Sequence, residues 1–324
     1  MLTTLFPHQK QAMPSQTDKR IQRFIQKERV QAGSLIVSLF GDAIYPRGGS
    51  IWLGCIIRLL SPLQVNERLI RTAIYRLVKD DWLQTSTHGR RTNYALSDAG
   101  ASRIAAASQH IYASRSHEWD GHWRLLMVSS QITPKDKELL KKALRWQGFG
   151  LWQNLAFVHP GADLHQAFML LQREGLGRLQ QSLWPLMATG LPLPGRLSDS
   201  EVVAQTWGLN ELAIRYQQFV TTYLPMLHEW RNPHFSEETH QKENSFLLRL
   251  LLIHDYRRLL LRDPLLPADL LPAKWPGETA RETCQALYEC LRVPSEKFLD
   301  DEMQLADGSR TKSLKLLRQR FQKC

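Results

Sequence analysis

NERLIRTAIYRLVKDDWLQTSTHGRRTNY, residues 66–94, is the stretch that decides the fold of the N-terminal third of the chain. At 100° per residue, its first half predicts a helix with an apolar stripe on one side and a polar, basic face on the other. The stripe contains Ile70, Ala73, Ile74, Leu77 and Val78. The opposite face contains Arg68, Arg71, Thr72, Tyr75, Arg76 and Lys79. Asn66 is the expected N-cap, because its side chain can accept a hydrogen bond from a free backbone N–H of the first turn.

A β-hairpin is predicted directly after this helix. Trp82–Thr85 and Thr92–Leu96 are the expected strands, and His88-Gly89 is the expected turn, with Arg90 and Arg91 beside it. A basic helix followed by a basic hairpin is typical of a winged helix-turn-helix, in which the helix enters the DNA major groove. A solvated surface helix would show the same pattern, so both interpretations remain open from this stretch alone.

Length and charge support a local site for a polyanion. A chain of 324 residues predicts two or three domains. The formal net charge is +11, and residues 1–110 hold 15 lysines and arginines against 7 acids, whereas the remainder is close to neutral. A basic N-terminal third on a nearly neutral body favours one nucleic-acid-binding surface over a generally sticky protein.

Cysteine usage and the N-terminus bear on the compartment. Cys55 and Cys324 are isolated, and Cys284 and Cys290 are six residues apart, a spacing that matches no common zinc motif. All four are expected to be reduced thiols. With no continuous apolar segment that would form a signal peptide or a membrane span, we expect a cytoplasmic protein.

The chain before the opening stretch predicts the rest of a winged helix-turn-helix. Two helices are expected between Lys19 and Phe40, separated at Gly33-Ser34, with Ser34 capping the second. The segment Gly41–Ser50 is predicted as a loop and Ile51–Leu60 as a short helix. Helix, short helix, basic helix and hairpin is the order that this fold requires.

The middle of the chain predicts a β-α-β-β-α-β order, which is that of a ferredoxin-like domain, and the remainder is mostly helical. The expected fold class is therefore α+β. The expected organisation is a mobile tail (1–18), a winged helix-turn-helix domain (19–97), a linker helix (98–118), a ferredoxin-like domain (119–190) and a helical C-terminal domain (191–324).

Several longer motifs resemble one family, the PaaX-type repressors of phenylacetate-degradation operons. They are SLIVSLFGDAIYPRGGSIWLG (34–54), NERLIRTAIYRLVKDDWL (66–83), GRRTNYALSDAG (89–100), LRWQGFG (144–150), HPG (159–161), IHDYRRLLLRDPLLP (253–267) and WPG (275–277). The resemblance implies a homodimeric transcriptional repressor that binds double-stranded operator DNA and takes phenylacetyl-coenzyme A as its inducer. PaaX-type proteins are similar in their middle domain to small CRISPR integration nucleases, which carry a metal-binding Asp after the first strand. Here that position reads Val128-Ser129-Ser130, so we expect a scaffold or a dimer contact and no nuclease activity.

The DNA contacts are expected to divide into two groups. Base edges would be reached from the first part of the helix, by Arg68, Arg71, Thr72 and Tyr75, because an arginine can donate two hydrogen bonds to guanine. Phosphates would be bound by Arg76, Lys79, Arg90 and Arg91, which position the protein without specifying sequence. Arg47, beside Gly48 and Gly49, is either a further phosphate contact or a simple turn arginine.

An acyl-coenzyme A effector needs basic groups for its phosphates and apolar surface for its remaining length. The candidates are Arg249, His254, Tyr256, Arg257, Arg258, His159 and the Trp146–Trp152 region. The competing interpretation is that the arginines and histidines of this helix are paired with acids such as Asp255 or Asp263.

Catalysis is not expected. The sequence has no G-x-S-x-G elbow, P-loop or G-x-G-x-x-G motif, and its histidines and acids lack metal-ligand spacing. His254 and Asp255 are neighbours on a helix and therefore point about 100° apart, so they form no relay. We expect no cofactor and no metal. The alternative function is a thioesterase-like enzyme that hydrolyses the acyl-coenzyme A it binds.

Overall fold

The computed structural model describes residues 14–26, 30–112, 118–190, 194–195, 197–232, 242–311 and 320–321. Helices are combined with two separate antiparallel sheets, which confirms the α+β class. The helices are α1 (Gln16–Ile25), α2 (Ala32–Leu39), α3 (Leu53–Leu60), α4 (Glu67–Lys79), α5 (Asp98–Ile111), α6 (Pro134–Arg145), α7 (Leu164–Arg173), α8 (Asp199–Thr206), α9 (Leu209–Arg231), α10 (Lys242–Leu260) and α11 (Pro276–Glu302). The strands are β1 (Ser50–Trp52), β2 (Leu83–His88), β3 (Arg91–Leu96), β4 (Trp123–Val128), β5 (Gly150–Trp152), β6 (Ala156–His159) and β7 (Leu183–Ala188).

The chain forms two compact units, and each draws on non-consecutive segments. Unit 1 comprises Met1–Ala101, Thr222–Leu252 and Ala286–Leu314. Unit 2 comprises Ser102–Thr221, Ile253–Gln285 and Lys315–Cys324. The sequence predicts consecutive domains, whereas the long helices α9, α10 and α11 each supply residues to both units.

Helix α4 has the predicted burial pattern. The Asn66 side chain accepts a hydrogen bond from the Arg68 N–H at 2.8 Å, which confirms the expected N-cap. Ile70, Ala73, Ile74 and Leu77 are buried, and α2 packs against α4. The apolar stripe therefore fixes which side of the helix faces outward.

The sheet of unit 1 has three strands in the order β1-β3-β2. The sequence predicts Ser50–Trp52 as part of a loop and of the helix that follows, whereas these residues form strand β1. It pairs with β3 through Ser50↔Ala95, Ile51↔Tyr94 and Trp52↔Asn93. The hairpin turn is also displaced by one residue from the prediction. His88 pairs with Arg91, which leaves Gly89 (φ 58°) and Arg90 as the two turn residues.

The N-terminal helix starts earlier than expected. Ser15 and Asp18 form a capping box, so α1 begins at Gln16, and the Glu229 carboxylate accepts hydrogen bonds from the Gln16 and Thr17 N–H groups at 2.9 and 3.3 Å. The predicted mobile tail thus overlaps a capped helix from Ser15 onward. Its first 13 residues lie outside the described part of the chain.

Two further boundaries differ from the sequence prediction. Helix α2 begins at Ala32 after Gln31, so Ser34 lies inside the helix and does not cap it. The predicted loop Gly41–Ser50 is largely helical, as a π-helical turn (Phe40–Ile44) followed by a 3₁₀ turn (Tyr45–Arg47). Glycine and proline are frequent in loops, but here tertiary contacts of Asp42 and Arg47 hold the segment in tight turns.

A buried ion network supplies those contacts within unit 1. The Arg249 side chain is fully buried, and it bonds Asp42 at 2.8 Å and Glu296 at 2.5 Å. Arg47 bonds the same Glu296, and also Asp300 at 2.7 Å. The Tyr288 hydroxyl donates to Asp42 at 3.1 Å. The network therefore joins the turn after α2 to α10 and α11.

Unit 2 contains a four-stranded antiparallel sheet in the order β5-β6-β4-β7. The predicted β-α-β-β-α-β order of this segment is confirmed, and its last strand is Leu183–Ala188. One sheet face packs on α6 and α7 through Leu126, Leu140 and Leu171. The other face carries Trp123 and Val158, which pack against Trp207 and Leu266.

The predicted linker helix is present in part. The predicted helix 98–118 is described as α5 up to Ile111, and residues 113–117 lie outside the described ranges.

Within the described ranges, no helix combines the length and the apolar character that crossing a membrane requires.

Replacing Arg249 by methionine should lower the free energy of unfolding by about 3–5 kcal/mol, because Asp42 and Glu296 would lose a cation they share in a buried site. Urea unfolding followed by circular dichroism measures the effect. Arg258→Met is the matched control, since Arg258 lies on the same helix and is exposed, and its effect should stay within about 0.5 kcal/mol. Equal stability of the two variants would show that the ion network does not hold unit 1 together.

Candidate nucleic-acid interface and effector residues

The outward face of α4 carries every polar side chain that the sequence assigned to it. Its members are all exposed, namely Arg68, Arg71, Thr72, Tyr75, Arg76 and Lys79. Tyr75 is 71% exposed although it is a large aromatic residue. An exposed tyrosine among cations can contact a sugar-phosphate backbone or a base edge without any rearrangement of the core.

The side chains of this face are held only weakly by the protein itself. Arg71 pairs with Glu67 one turn earlier at 2.7 Å, and both side chains are 55% exposed. Such exposed i,i+4 pairs contribute about 0.3–0.5 kcal/mol, so a phosphate or a base can replace Glu67. Arg68, Arg76 and Lys79 form no salt bridge with any residue of the described ranges. The face is therefore a set of available hydrogen-bond donors.

The hairpin has two different faces. On one face, Thr85 and Tyr94 line a shallow groove together with Arg71, Tyr75 and Val78 of α4. This face of the hairpin therefore lies beside the outward face of α4. Arg91 lies three residues before Tyr94 on β3, so its side chain points to the opposite face of the hairpin. There its guanidinium stacks 4.5 Å from the centroid of the Trp52 ring. The stacking holds the Arg91 side chain next to the turn at Gly89-Arg90.

The segment Met303–Thr311 contacts that second hairpin face, and no sequence motif predicts this contact. The Trp52 N–H donates to the Gln304 carbonyl at 3.1 Å, and the Ala306 N–H donates to Asn93 Oδ1 at 2.7 Å. Arg58 pairs with Glu302 at 3.6 Å. These partners are more than 200 residues apart in the chain, and no local pattern encodes such a pairing.

The structure contradicts the predicted phosphate contact of Arg47. Its side chain has no exposed surface and is neutralised by Glu296 and Asp300. The neighbouring glycines do adopt positive φ, 95° at Gly48 and 72° at Gly49, but they turn the chain into β1 and frame no anion site at Arg47.

Arg249 is likewise wrong as an effector contact. It lies in the core of unit 1 between Asp42 and Glu296, with its guanidinium 5.5 Å from the Tyr288 ring centroid. A buried arginine paired with two carboxylates offers no charge to a ligand phosphate. The competing interpretation, pairing with acids, is correct in kind, but the acids are Asp42 and Glu296 and not Asp255 or Asp263.

Three further effector candidates are buried in unit 2. His254 and Tyr256 are 4% and 3% exposed. Tyr256 packs 5.5 Å from Phe219, and burial raises the pKa of its hydroxyl. His159 is 9% exposed, and burial lowers its pKa to about 4. Its Nδ1 accepts the Gly161 N–H at 2.8 Å, so the imidazole is neutral and serves as a structural hydrogen-bond bridge.

The last two candidates bring positive charge to the surface of α10. Arg258 is exposed, and Arg257 is partly buried. Burial, together with the neighbouring charge of Arg258, lowers the pKa of Arg257 to about 10, which still leaves it protonated at neutral pH. Within the described ranges, no group of three or more His, Cys, Asp or Glu residues is arranged to hold a metal ion.

Comparison with known proteins shows similarity along nearly the whole chain. The family model described as "PaaX-like protein" matches residues 31–100, "PaaX protein central Cas2-like domain" matches 116–178, and "PaaX-like protein C-terminal domain" matches 207–301. The chain is 35% identical over 312 residues to "Transcriptional repressor PaaX" of Escherichia coli (strain K12), which covers 95% of each chain. A solved structure, uncharacterized protein Rv0674 from Mycobacterium tuberculosis, aligns with this chain at a TM-score of 0.46 and 20% sequence identity. The alignment covers 74% of this chain and 90% of the Rv0674 chain.

His159 should make stability depend on pH in a specific window. Its folded pKa of about 4 lies below the ordinary value of 6.5, so the unfolded chain binds the extra proton. Stability is therefore full above pH 6.5 and falls as the pH drops toward 4. In His159→Gln, which keeps a donor and an acceptor, the decline between pH 6.5 and 4.5 should be smaller by about 2–3 kcal/mol. Urea titrations at several pH values measure the difference, and parallel curves for both proteins would contradict the neutral, buried histidine.

Proposed function

Because the chain belongs to the PaaX-like family of transcriptional repressors, we propose that it represses a phenylacetate-catabolic operon and leaves its operator when it binds an aryl-acyl-coenzyme A such as phenylacetyl-coenzyme A. One observation carries the DNA-binding part. The outward side of α4 presents Arg68, Arg71, Tyr75 and Arg76 as exposed groups, while the opposite side is locked into the core of unit 1.

The fold assignments follow from the arrangement of elements. Helices α2, α3 and α4 followed by the β2–β3 hairpin support a winged helix-turn-helix, with α4 as the recognition helix. The β-α-β-β-α-β segment and its sheet order β5-β6-β4-β7 support a ferredoxin-like domain.

The enzyme alternative has no support from the comparisons. The relative that covers 95% of the chain is named as a transcriptional repressor, and the family is one of regulators. A protein that binds an acyl-coenzyme A without hydrolysing it should release no free thiol beyond the spontaneous rate over several hours. Thiol release in proportion to protein concentration would restore the thioesterase hypothesis.

The proposed mechanism requires two copies of the chain on one operator. In a homodimer, two α4 helices would enter successive major grooves, about 34–36 Å or a multiple of it apart. Effector binding would favour a conformation in which the two helices no longer match this spacing. Since coupling between two ligands is reciprocal, operator DNA must weaken effector binding by the factor by which the effector weakens operator binding.

The work of the DNA-binding side chains divides by position. Arg68, Arg71, Thr72 and Tyr75 lie in the first three turns of α4. Base edges in the major groove are within reach from there. Arg76 and Lys79 at the end of the helix, and Arg90 and Arg91 at the hairpin turn, are assigned to phosphates. Stacking on Trp52 orders the Arg91 side chain, which reduces the entropy lost when it binds a phosphate.

A mobility-shift experiment tests this function directly. The duplex is selected from a random library by the protein itself, and the shift is measured with phenylacetyl-coenzyme A, with free coenzyme A and with phenylacetate. Loss of the shift with the thioester alone is the expected result. Failure to enrich any duplex would overturn the DNA-binding role, and a shift that persists with all three compounds would overturn the effector.

Arg71→Ala and Arg91→Ala should affect DNA binding differently. Arg71→Ala should cost about 1–3 kcal/mol on the selected duplex and relax the preference at one base position. Arg91→Ala should weaken all duplexes alike and reduce the salt dependence of log K by about one unit of slope. Fluorescence anisotropy against selected and scrambled duplexes at several salt concentrations separates the two effects. The same behaviour from both variants would contradict the division between base and phosphate contacts.

The effector and the operator should each weaken binding of the other by one common factor. Calorimetry of phenylacetyl-coenzyme A binding, with and without saturating duplex, gives one factor, and DNA binding with and without effector gives the other. Unequal factors would indicate that the effector releases DNA by some route other than a shared conformational equilibrium.

A further inference from the structure

Three segments of unit 2 meet around Asp263 and Pro264, the residues that follow α10. The Tyr216 hydroxyl of α9 donates to the Asp263 carboxylate, which places the first turns of α9 beside the end of α10. Gly148, just after α6, has φ +84° and lies so close that an added Cβ would be 2.9 Å from the Pro264 carbonyl oxygen. Trp207 Nε1–H donates to the Gly148 carbonyl at 3.0 Å. The end of α6, the start of α9 and the loop after α10 are therefore fixed against one another.

These segments carry three arginines near the exposed carboxylate of Glu211, and one of them is bonded to it. Arg215 pairs with Glu211 at 2.6 Å. The pKa of Glu211 is lowered chiefly by its hydrogen bond with Arg215, and also by the charges of Arg262 and Arg145. Arg145 and Arg262 form no salt bridge with any residue that the structure describes. The second acid nearby, Asp263, is occupied by Tyr216, and burial raises its pKa.

Exposed apolar side chains lie next to Arg145 and Arg262 in the sequence. Trp146 follows Arg145 and is 64% exposed, and Leu261 and Leu265 on either side of Arg262 are 44% and 40% exposed. Leu265 is held at φ +55°, with its N–H donating to Asp263 at 2.7 Å. A non-glycine residue at positive φ is strained, and the contacts with Asp263 keep it in this place. The surface thus combines unpaired cations, an indole and fixed aliphatic groups.

We propose that this surface, with Arg145, Trp146, Arg215, Arg262 and Leu265, binds the nucleotide end of the acyl-coenzyme A effector. Guanidinium groups bind phosphate through two parallel charge-assisted hydrogen bonds, and an indole can stack on a flat aromatic base. The exposed leucines offer contact to the apolar remainder of the ligand. This site rests on the proposed function for the identity of its ligand, but its chemistry requires only a phosphate-bearing aromatic compound.

Charge and position favour a small phosphorylated ligand over duplex DNA. The three arginines come from three separate segments that are packed against one another. A duplex-binding surface instead distributes its cations along the spacing of the phosphate backbone. Among the described residues Arg215 pairs with Glu211, an exposed carboxylate on the same helix, which a ligand phosphate can replace at small cost.

Calorimetry with the full-length protein tests the site. The probes are phenylacetyl-coenzyme A, coenzyme A, adenosine 3′,5′-bisphosphate and inorganic phosphate. The double variant Arg145→Ala/Arg262→Ala should lower the affinity for the first three by about tenfold for each arginine removed. Trp146→Ala should weaken the bisphosphate and leave inorganic phosphate unchanged. Arg173→Ala, an exposed arginine elsewhere in unit 2, is the matched control, and urea midpoints confirm that all variants are folded.

The outcomes separate this site from the proposed function. If phenylacetyl-coenzyme A binds wild type and double variant equally and still releases DNA, the site is wrong and the function stands. If only the bisphosphate binds, and the double variant loses it, the site stands and the identity of the effector is wrong. Binding of none of the probes to the wild type overturns the site. Weaker binding of duplex by the double variant without effector also overturns it, in favour of a DNA contact.

Discussion

The pairing of buried Arg249 with Asp42 and Glu296 is the interaction on which the structure of unit 1 depends. It joins the turn after α2 to two helices from much later in the chain. Arg47 extends the network to Asp300. Two buried N–H groups, Arg249 Nη2 and Arg47 Nε, have no acceptor in the described structure, so the network is not optimised for stability alone. Hydrogen-bonded ion pairs are directional, so they favour one relative position of the three joined segments. An apolar contact of the same area would allow more than one position.

This constraint explains why the basic face of α4 can stay exposed. The helix is anchored from behind by its apolar stripe. The sheet beside it is anchored by Gln304, which bonds Trp52 of β1, and by Ala306, which bonds Asn93 of β3. Neither anchor uses the outward cations of α4. A helix whose backbone is anchored and whose outward side chains are at most weakly paired is well suited to bind a polyanion, because little ordering of its backbone is left to occur on binding.

The candidate effector residues of α10 show how burial separates residues of similar type. One helix, α10, carries five of the candidates: Arg249, His254, Tyr256, Arg257 and Arg258. The sequence alone does not distinguish among them. In the structure the first three are core residues, and only the last two bring charge to the surface. Arg145, Arg215 and Arg262, which no sequence motif links, lie on segments that are packed together, and Arg215 pairs with Glu211. The family resemblance implies a class of ligand, but it does not indicate which arginines lie near one another.

The sequence by itself determined the features that depend on local periodicity and capping. These are the helix Glu67–Lys79 with its Asn66 cap, the hairpin after it, the β-α-β-β-α-β order of the middle segment and the family. Only the tertiary structure decided that Arg47 is a buried partner of Glu296, that Ser50–Trp52 is a strand, and that the segment Met303–Thr311 covers the hairpin. The physical reason is the same in each case. An arginine or a short apolar segment has no fixed environment of its own, and carboxylates and carbonyls more than 200 residues away decide whether it is buried, paired or free.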